Sequence, residues 1–208
     1  MATRLWLEDT AGGSSPILLD TARALVLAQG TGGTTYTTPT VASGTDIQVR
    51  ITNALEARGV YWITDYVLTP FLFAGTVTTR NEFTESGAAV NAGFRARFYK
   101  IPWDGGAAPT LALTLDTATE IGTGPGTQLA SGAPATPVQF DINDRLVVIY
   151  SIINIGTMAA GSCAIKFGNS GSGGDASYVE LAENVTFSAT PIPTPFPRLP
   201  RLGARGTL

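Results

Sequence analysis

Leu146-Val147-Val148-Ile149-Tyr150-Ser151-Ile152-Ile153-Asn154-Ile155 is the strongest apolar run in the chain, and its β-branched and aromatic side chains suit a pleated sheet. Asp141-Ile142-Asn143-Asp144 turns the chain before it, and the small, polar segment from Gly156 to Ser162 turns it after. Cys163, Ile165 and Phe167 then alternate on one face of a second strand. In the run itself both faces are apolar: Leu146, Val148, Tyr150 and Ile152 on one, Val147, Ile149, Ile153 and Ile155 on the other. A sandwich strand with one wet face alternates with polar residues instead. The second face is therefore covered, either by a loop of the same chain or by another subunit. In the latter case Val147, Ile149, Ile153 and Ile155 form a subunit interface.

Working outward, short strand patterns recur between turn signals. Leu5 and Leu7 flank Trp6 in a first strand that ends at Gly12-Gly13-Ser14-Ser15-Pro16. Ile17 to Ala28 fits a short helix capped by Asp20 or a strand at Leu25-Val26-Leu27, and the extended reading is preferred. Gly30 to Gly44 reads as a loop. Ile47, Val49 and Ile51 alternate with polar residues, a half-buried strand. Tyr61-Trp62-Ile63 and Tyr66-Val67-Leu68 follow, then a strand through Phe71, Phe73 and Val77 to Thr79 with a bend at Gly75. Asn81 to Ala92 reads as a loop carrying Glu82 and Glu85. Phe94, Ala96 and Phe98 alternate with Arg95, Arg97 and Tyr99, which places the arginines outward. Trp103-Asp104-Gly105-Gly106 is a turn, Leu111, Leu113 and Leu115 mark a strand, and a long Gly/Pro/Thr/Ala loop leads to Phe140. Tyr178 to Phe187 is the last strand. Nine or ten such strands without a convincing long helix predict an all-β fold, a jelly-roll-like antiparallel β-sandwich over residues 1–187.

Composition narrows the chemistry. The 208 residues contain no histidine, which removes Ser-His-Asp and Cys-His systems and imidazole metal sites from this chain. One cysteine, Cys163, allows neither an intrachain disulfide nor a thiolate metal cluster. A net charge of −3 argues against a nucleic-acid partner. Charged residues are only 14% of the chain, a low value that fits a surface partly covered by partners. The opening Met1-Ala2-Thr3-Arg4-Leu5-Trp6-Leu7-Glu8-Asp9 has no long apolar stretch of the secretory kind. The ten residues from Leu146 are too few for a bilayer span, which needs about 20. A soluble, cytoplasmically made protein without a membrane partner is expected.

No motif carries a reaction. Asp141, Asn143 and Asp144 resemble the start of a calcium loop, but Arg145 and Leu146 stand where a ligand and a glycine are needed. Asn169 to Asp175 reads as a hairpin loop. Gly122-Thr123-Gly124-Pro125-Gly126 lacks the spacing and the helix of a dinucleotide fingerprint, and no G-x-S-x-G elbow exists. Glu82 with Glu85, or either with Asp104, is the nearest approach to a glycosidase carboxylate pair. No cofactor or metal is expected. Among the aromatics, Trp62 and Trp103 are candidate glycan-stacking residues, with core or interface packing the competing and preferred reading.

From Ser188 the composition changes. Pro191, Pro193, Pro195, Pro197 and Pro200 enforce an extended path without ladder hydrogen bonds. Arg198, Arg201 and Arg205 make it basic. Residues 188–208 read either as a tail that stays unstructured or as an extended arm, with Pro191, Pro193, Pro195, Phe196, Pro197, Arg198, Arg201 and Arg205 docking on a partner.

Asn91-Ala92-Gly93-Phe94-Arg95-Ala96-Arg97-Phe98-Tyr99 resembles the N-A-x-F-R-x-R-x-Y strand of small structural proteins from tailed-bacteriophage virions. Asn143-Asp144-Arg145-Leu146-Val147-Val148 resembles their G-D-R-L-V-V strand start, with Asn143 in place of the glycine. Phe167-Gly168-Asn169, Tyr178-Val179-Glu180-Leu181 and Ala2-Thr3-Arg4-Leu5 add smaller matches. The resemblance implies a non-enzymatic β-sandwich virion component. On that reading it is a capsid decoration protein held by its C-terminal arm, or else a tail or fibre module that binds host glycans. Its partners would be the major capsid or tail proteins, its location the virion, and its state a homo-oligomer, a trimer by analogy.

Overall fold

The computed structural model describes residues 2–11, 23–26, 33–37, 60–88, 90–103, 107–117, 119–124, 126–155, 163–168 and 177–193. They form fifteen strands: β1 (Thr3–Ala11), β2 (Arg23–Val26), β3 (Gly33–Thr37), β4 (Val60–Thr64), β5 (Tyr66–Val67), β6 (Phe71–Phe73), β7 (Val77–Glu85), β8 (Ala92–Ile101), β9 (Thr110–Asp116), β10 (Gly126–Gly132), β11 (Val138–Phe140), β12 (Arg145–Asn154), β13 (Cys163–Gly168), β14 (Tyr178–Leu181) and β15 (Phe187–Ser188). The all-β sandwich expected from the sequence is what forms.

The main sheet runs β3-β13-β7-β14-β1-β2-β4-β12-β8-β9, and β10 adds to the other edge of β7. All its pairings are antiparallel except β2 with β4. The sheet folds over, so that β7 of one layer faces β8 and β12 of the other. Phe83 on β7 stacks on Phe94 of β8 with ring centroids 4.8 Å apart, and Tyr150 of β12 lies tilted against both. Two small ladders, β6 with β11 and β5 with β15, close one end. There Phe140 stacks on Phe71 at 4.8 Å and leans on Phe73 at 5.8 Å.

Alternation explains which side chains enter the core. On β8, Phe94, Ala96 and Phe98 are fully buried, while outward Arg95 pairs with Asp116 on β9 at 2.6 and 2.7 Å. The central run behaves as its two apolar faces require. Leu146, Val148 and Tyr150 join the inter-layer core, and Val147, Ile149 and Ile153 are also buried within the single chain. Of the two covers that the sequence left open, the chain's own is sufficient for these three residues. They are not an open subunit face.

Several boundaries differ from those read in the sequence. The strand through Phe71 is broken at Ala74 to Thr76, and its second half continues to Glu85, so Glu82 and Glu85 lie on a strand rather than in a loop. Gly33–Thr37, inside the expected Gly30–Gly44 loop, is a strand. The expected long loop before Phe140 contains β10 and β11. The last strand ends at Leu181 and resumes only at Phe187. Arg23–Val26 is extended, in line with the preferred reading of that segment. The Ile47-Val49-Ile51 alternation and the Asn169–Asp175 loop lie outside the described residues.

The chain beyond β14 folds back on the sandwich. Phe187 and Ser188 pair with Val67 and Tyr66, and the Leu68 N–H donates to the Thr186 carbonyl at 2.9 Å. Asn143 then holds Ile192 at both backbone groups: its Nδ2 donates to the Ile192 carbonyl and its Oδ1 accepts the Ile192 N–H, each at 2.7 Å. Asn143 is fully buried with φ of 71°, a left-handed conformation that asparagine tolerates better than most residues.

Candidate functional site

The residues singled out in the sequence do not converge on one place. Trp62 has no exposed surface. It sits opposite Val148 in the inward register and meets Tyr150 edge-on at 5.6 Å. This corrects its reading as a glycan contact, since a ring enclosed by the core offers no face to a sugar. Trp103, 45% exposed, stands alone of the two on the surface, just past β8. Ile155 is exposed and lies over Gly93, whose missing side chain makes the room: a Cβ there would come within 2.1 Å of Ile155 Cδ1. Pro191 and Pro193 flank the clamped Ile192, while Pro195, Phe196, Pro197, Arg198, Arg201 and Arg205 lie outside the described residues.

The Asp141–Asp144 turn holds Lys100 in place of a cation. The ammonium donates to Asp144 Oδ2 at 2.9 Å, Asp141 Oδ2 at 3.2 Å and the Gln139 carbonyl at 2.7 Å. Burial disfavours its charge, but the bonds to and charges of Asp144 and Asp141 outweigh this and raise its pKa. Among the described residues no three His, Cys, Asp or Glu gather as metal ligands.

Glu82 and Glu85 cannot act as a pair, because residues three apart on a strand point to opposite faces. Glu85 instead meets Glu120, which follows β9. Burial raises the Glu85 carboxyl above the usual carboxylate range. A backbone bond from the Ala92 N–H opposes the rise, and the charge and hydrogen bond of Glu120 add to it. Glu85 therefore keeps its proton to a higher pH than an isolated glutamate does. Nothing near Glu85 in the sequence points to residue 120; the loop after β9 brings it there, with the Glu85 N–H donating to the Gly122 carbonyl at 3.1 Å.

The outer face of β10-β7-β14-β1 carries a second arrangement that local patterns do not reveal. Register aligns Leu129, Arg80, Tyr178 and Trp6 in one row, and Ser131, Thr78, Glu180 and Arg4 in the next. Trp6 and Tyr178 meet edge-on at 5.5 Å. The Arg4 guanidinium lies 4.3 Å from the Tyr178 ring centroid while its Nε donates to Glu180 at 2.8 Å. Leu129 is 60% exposed. An aromatic pair, two arginines and a bare leucine on a sheet face have the composition of a protein-binding surface.

No protein-family profile matches the chain, and no curated protein matches it. Solved structures do. A CocE/NonD family hydrolase from Staphylococcus aureus superposes with a TM-score of 0.57 at 11% identity, over 87% of this chain and 36% of its own. An aminopeptidase from a marine-sediment Thaumarchaeota archaeon superposes with a TM-score of 0.55 at 10% identity, over the same shares. At such identities the likeness is one of fold, and the chain spans about a third of the length of these hydrolases. A structure of infectious bursal disease virus, Gt strain, aligns at a TM-score of only 0.24, too low to argue from. No phage family emerges from the comparisons. The expectation of a non-enzymatic phage decoration, tail or fibre protein is corrected by these superpositions: both of the structures that superpose at this level are hydrolases.

Proposed function

We propose that this chain serves as the β-sandwich portion of a hydrolytic enzyme, packed against the portion that carries the catalytic groups. The observation that carries this is the superposition of 87% of the chain on about a third of two hydrolases. The face formed by Arg4, Trp6, Arg80, Leu129 and Tyr178 supplies the contact. Buried Trp, Tyr and Arg contribute most of the free energy at such interfaces. Because the 208 residues hold no histidine, an imidazole base would come from the other portion. Amide bonds are the substrate class, from the aminopeptidase that shares the fold, and an activated ester serves as a general probe of hydrolysis.

The native protein, immunopurified from its source, is expected to hydrolyse an aminoacyl p-nitroanilide or a p-nitrophenyl ester above the level of a mock purification. Trp6→Ala with Tyr178→Ala should lower that activity about tenfold or more by weakening the packing, with the melting temperature of the isolated sandwich unchanged. Purified material that cleaves neither substrate overturns the reading.

A further inference from the structure

β9 ends the main sheet, paired with β8 along one side, and among the described residues no strand pairs its other side. The ladder shows which groups that open side presents. The Thr117 N–H donates to the Phe94 carbonyl at 3.0 Å, so the backbone of residue 117 faces β8. Backbone groups alternate sides along an antiparallel strand, and those of Thr114 and Asp116 therefore point away from β8, to the open edge. Little in the sequence blunts this edge. Thr110-Leu111-Ala112-Leu113-Thr114-Leu115-Asp116 holds no proline and no lysine, and its one charge, Asp116, is taken up by Arg95 at 2.6 Å.

Beside the open edge lies a groove of about 520 Å³, within the roughly 300–1,000 Å³ of small ligand sites. Thr110 to Thr114 form one wall and the segment 133–138 the other. That segment runs alongside β9 without a ladder to it, and Pro134 and Pro137 leave two of its six residues without an N–H. The lining is apolar or hydroxylic and bears no charge, and Leu111 within it is half exposed.

An open ladder edge beside a groove is the setting in which an extended peptide adds to a sheet: its backbone pairs with the edge, and alternate side chains enter the groove. A charged side chain would find no partner in this lining, which selects small apolar or hydroxylic residues. A second copy fits poorly, because its β9 carries its own 133–138 wall along the very edge that would have to pair.

We propose that β9 binds an extended, uncharged peptide, which joins the sheet as a strand between β9 and the 133–138 wall. The choice of occupant rests on the reading above of an amide-cleaving enzyme, whose substrate chain this edge holds extended.

Hydrogen–deuterium exchange of the full chain with acetyl-Ala-Val-Thr-Val-Ala-amide tests this. The peptide is expected to slow exchange of the Thr114 and Asp116 amides about tenfold. Its fully N-methylated form keeps the side chains but has no N–H, and should slow neither. Thr114→Pro removes an outward N–H at an edge position where proline is tolerated, and should weaken peptide binding about tenfold. Leu111→Glu, at an exposed site, should weaken it through the groove instead. Equal slowing by the two peptides, slowing by neither, or unchanged binding in both variants overturns the proposal. So does slowing that appears without peptide as protein concentration rises, which would make a second copy the occupant. Failure to cleave the p-nitroanilide and the p-nitrophenyl ester overturns the enzymatic reading alone, since peptide binding is measured without turnover.

Discussion

Gly93 shows how much a single missing Cβ decides. A methyl group there would meet Ile155 Cδ1 at 2.1 Å, Ile155 Cγ1 at 2.6 Å and Thr117 Oγ1 at 2.8 Å. Gly93→Ala should therefore cost about 1–3 kcal/mol by overpacking, and Ile155→Ala in the same chain should recover most of it, since the isoleucine is exposed and Thr117 has less need to move. Thermal melts of the two single variants and the double variant measure this coupling. The core holds a polar group of its own: the Tyr150 hydroxyl bonds Thr79 Oγ1, which also accepts Asn81 Nδ2 at 2.6 Å. Burial raises the Tyr150 pKa to about 12, partly countered by its bonds to Thr79 and Asn81. A phenol whose folded pKa lies above the unfolded value of 10 adds stability that is complete below pH 10 and lost towards pH 12. Melting temperature should thus fall across that window, and less steeply in Tyr150→Phe. Glu85 obeys the same sign at lower pH: its raised carboxyl pKa makes the folded state lose stability as pH rises from about 4.5. Glu85→Gln should melt higher than the parent at pH 7, with the gain vanishing on acidification below pH 4.5. An equal gain at both pH values would rule out the carboxyl as its source.

At the scale of elements, the segment from Thr186 to Pro193 is held by the β5–β15 ladder and by the Asn143 clamp. Asn143→Ala removes two hydrogen bonds and leaves a left-handed backbone under a methyl group, a loss of about 2–3 kcal/mol. Asn143→Gly removes the bonds alone and should cost less. Limited proteolysis after residue 185 reads the release directly, with Ala cut fastest, Gly next and the parent slowest. The elements differ in how far the sequence announces them. β12 and β8 are plain from an unbroken β-branched run and from strict Phe/Arg alternation. β10 is hidden because its large residue, Leu129, faces solvent while Ala130 faces the core. The far half of β7 is hidden because its inward positions include Asn81 and Glu85, whose burial depends on partners on β12 and after β9. The Trp6–Tyr178–Arg80–Leu129 row depends on the register of four strands separated by up to 172 positions, which local periodicity cannot supply.

For the whole molecule, the proposed packing rests on one face of the main sheet. Loss of the Trp6 face should lower co-purifying hydrolysis about tenfold or more and leave hydrogen exchange along β9 untouched. The connectivity of the sheet has a further effect. β7 takes β10 along one edge and β14 followed by β13 along the other, while β1 lies between β14 and β2. Each of β7's partners, and β14 for β1, is later in the chain. During synthesis one edge of β1 and the Val77–Arg80 stretch of the facing edge of β7 therefore wait unpaired until Leu181 has left the ribosome, and nearly the whole chain must be looped before the sheet is continuous. Such a protein matures as a single late event rather than strand by strand. Chains ending at residue 177 should lack the cooperative melt of the full protein, and in a cell they should be the species that aggregates.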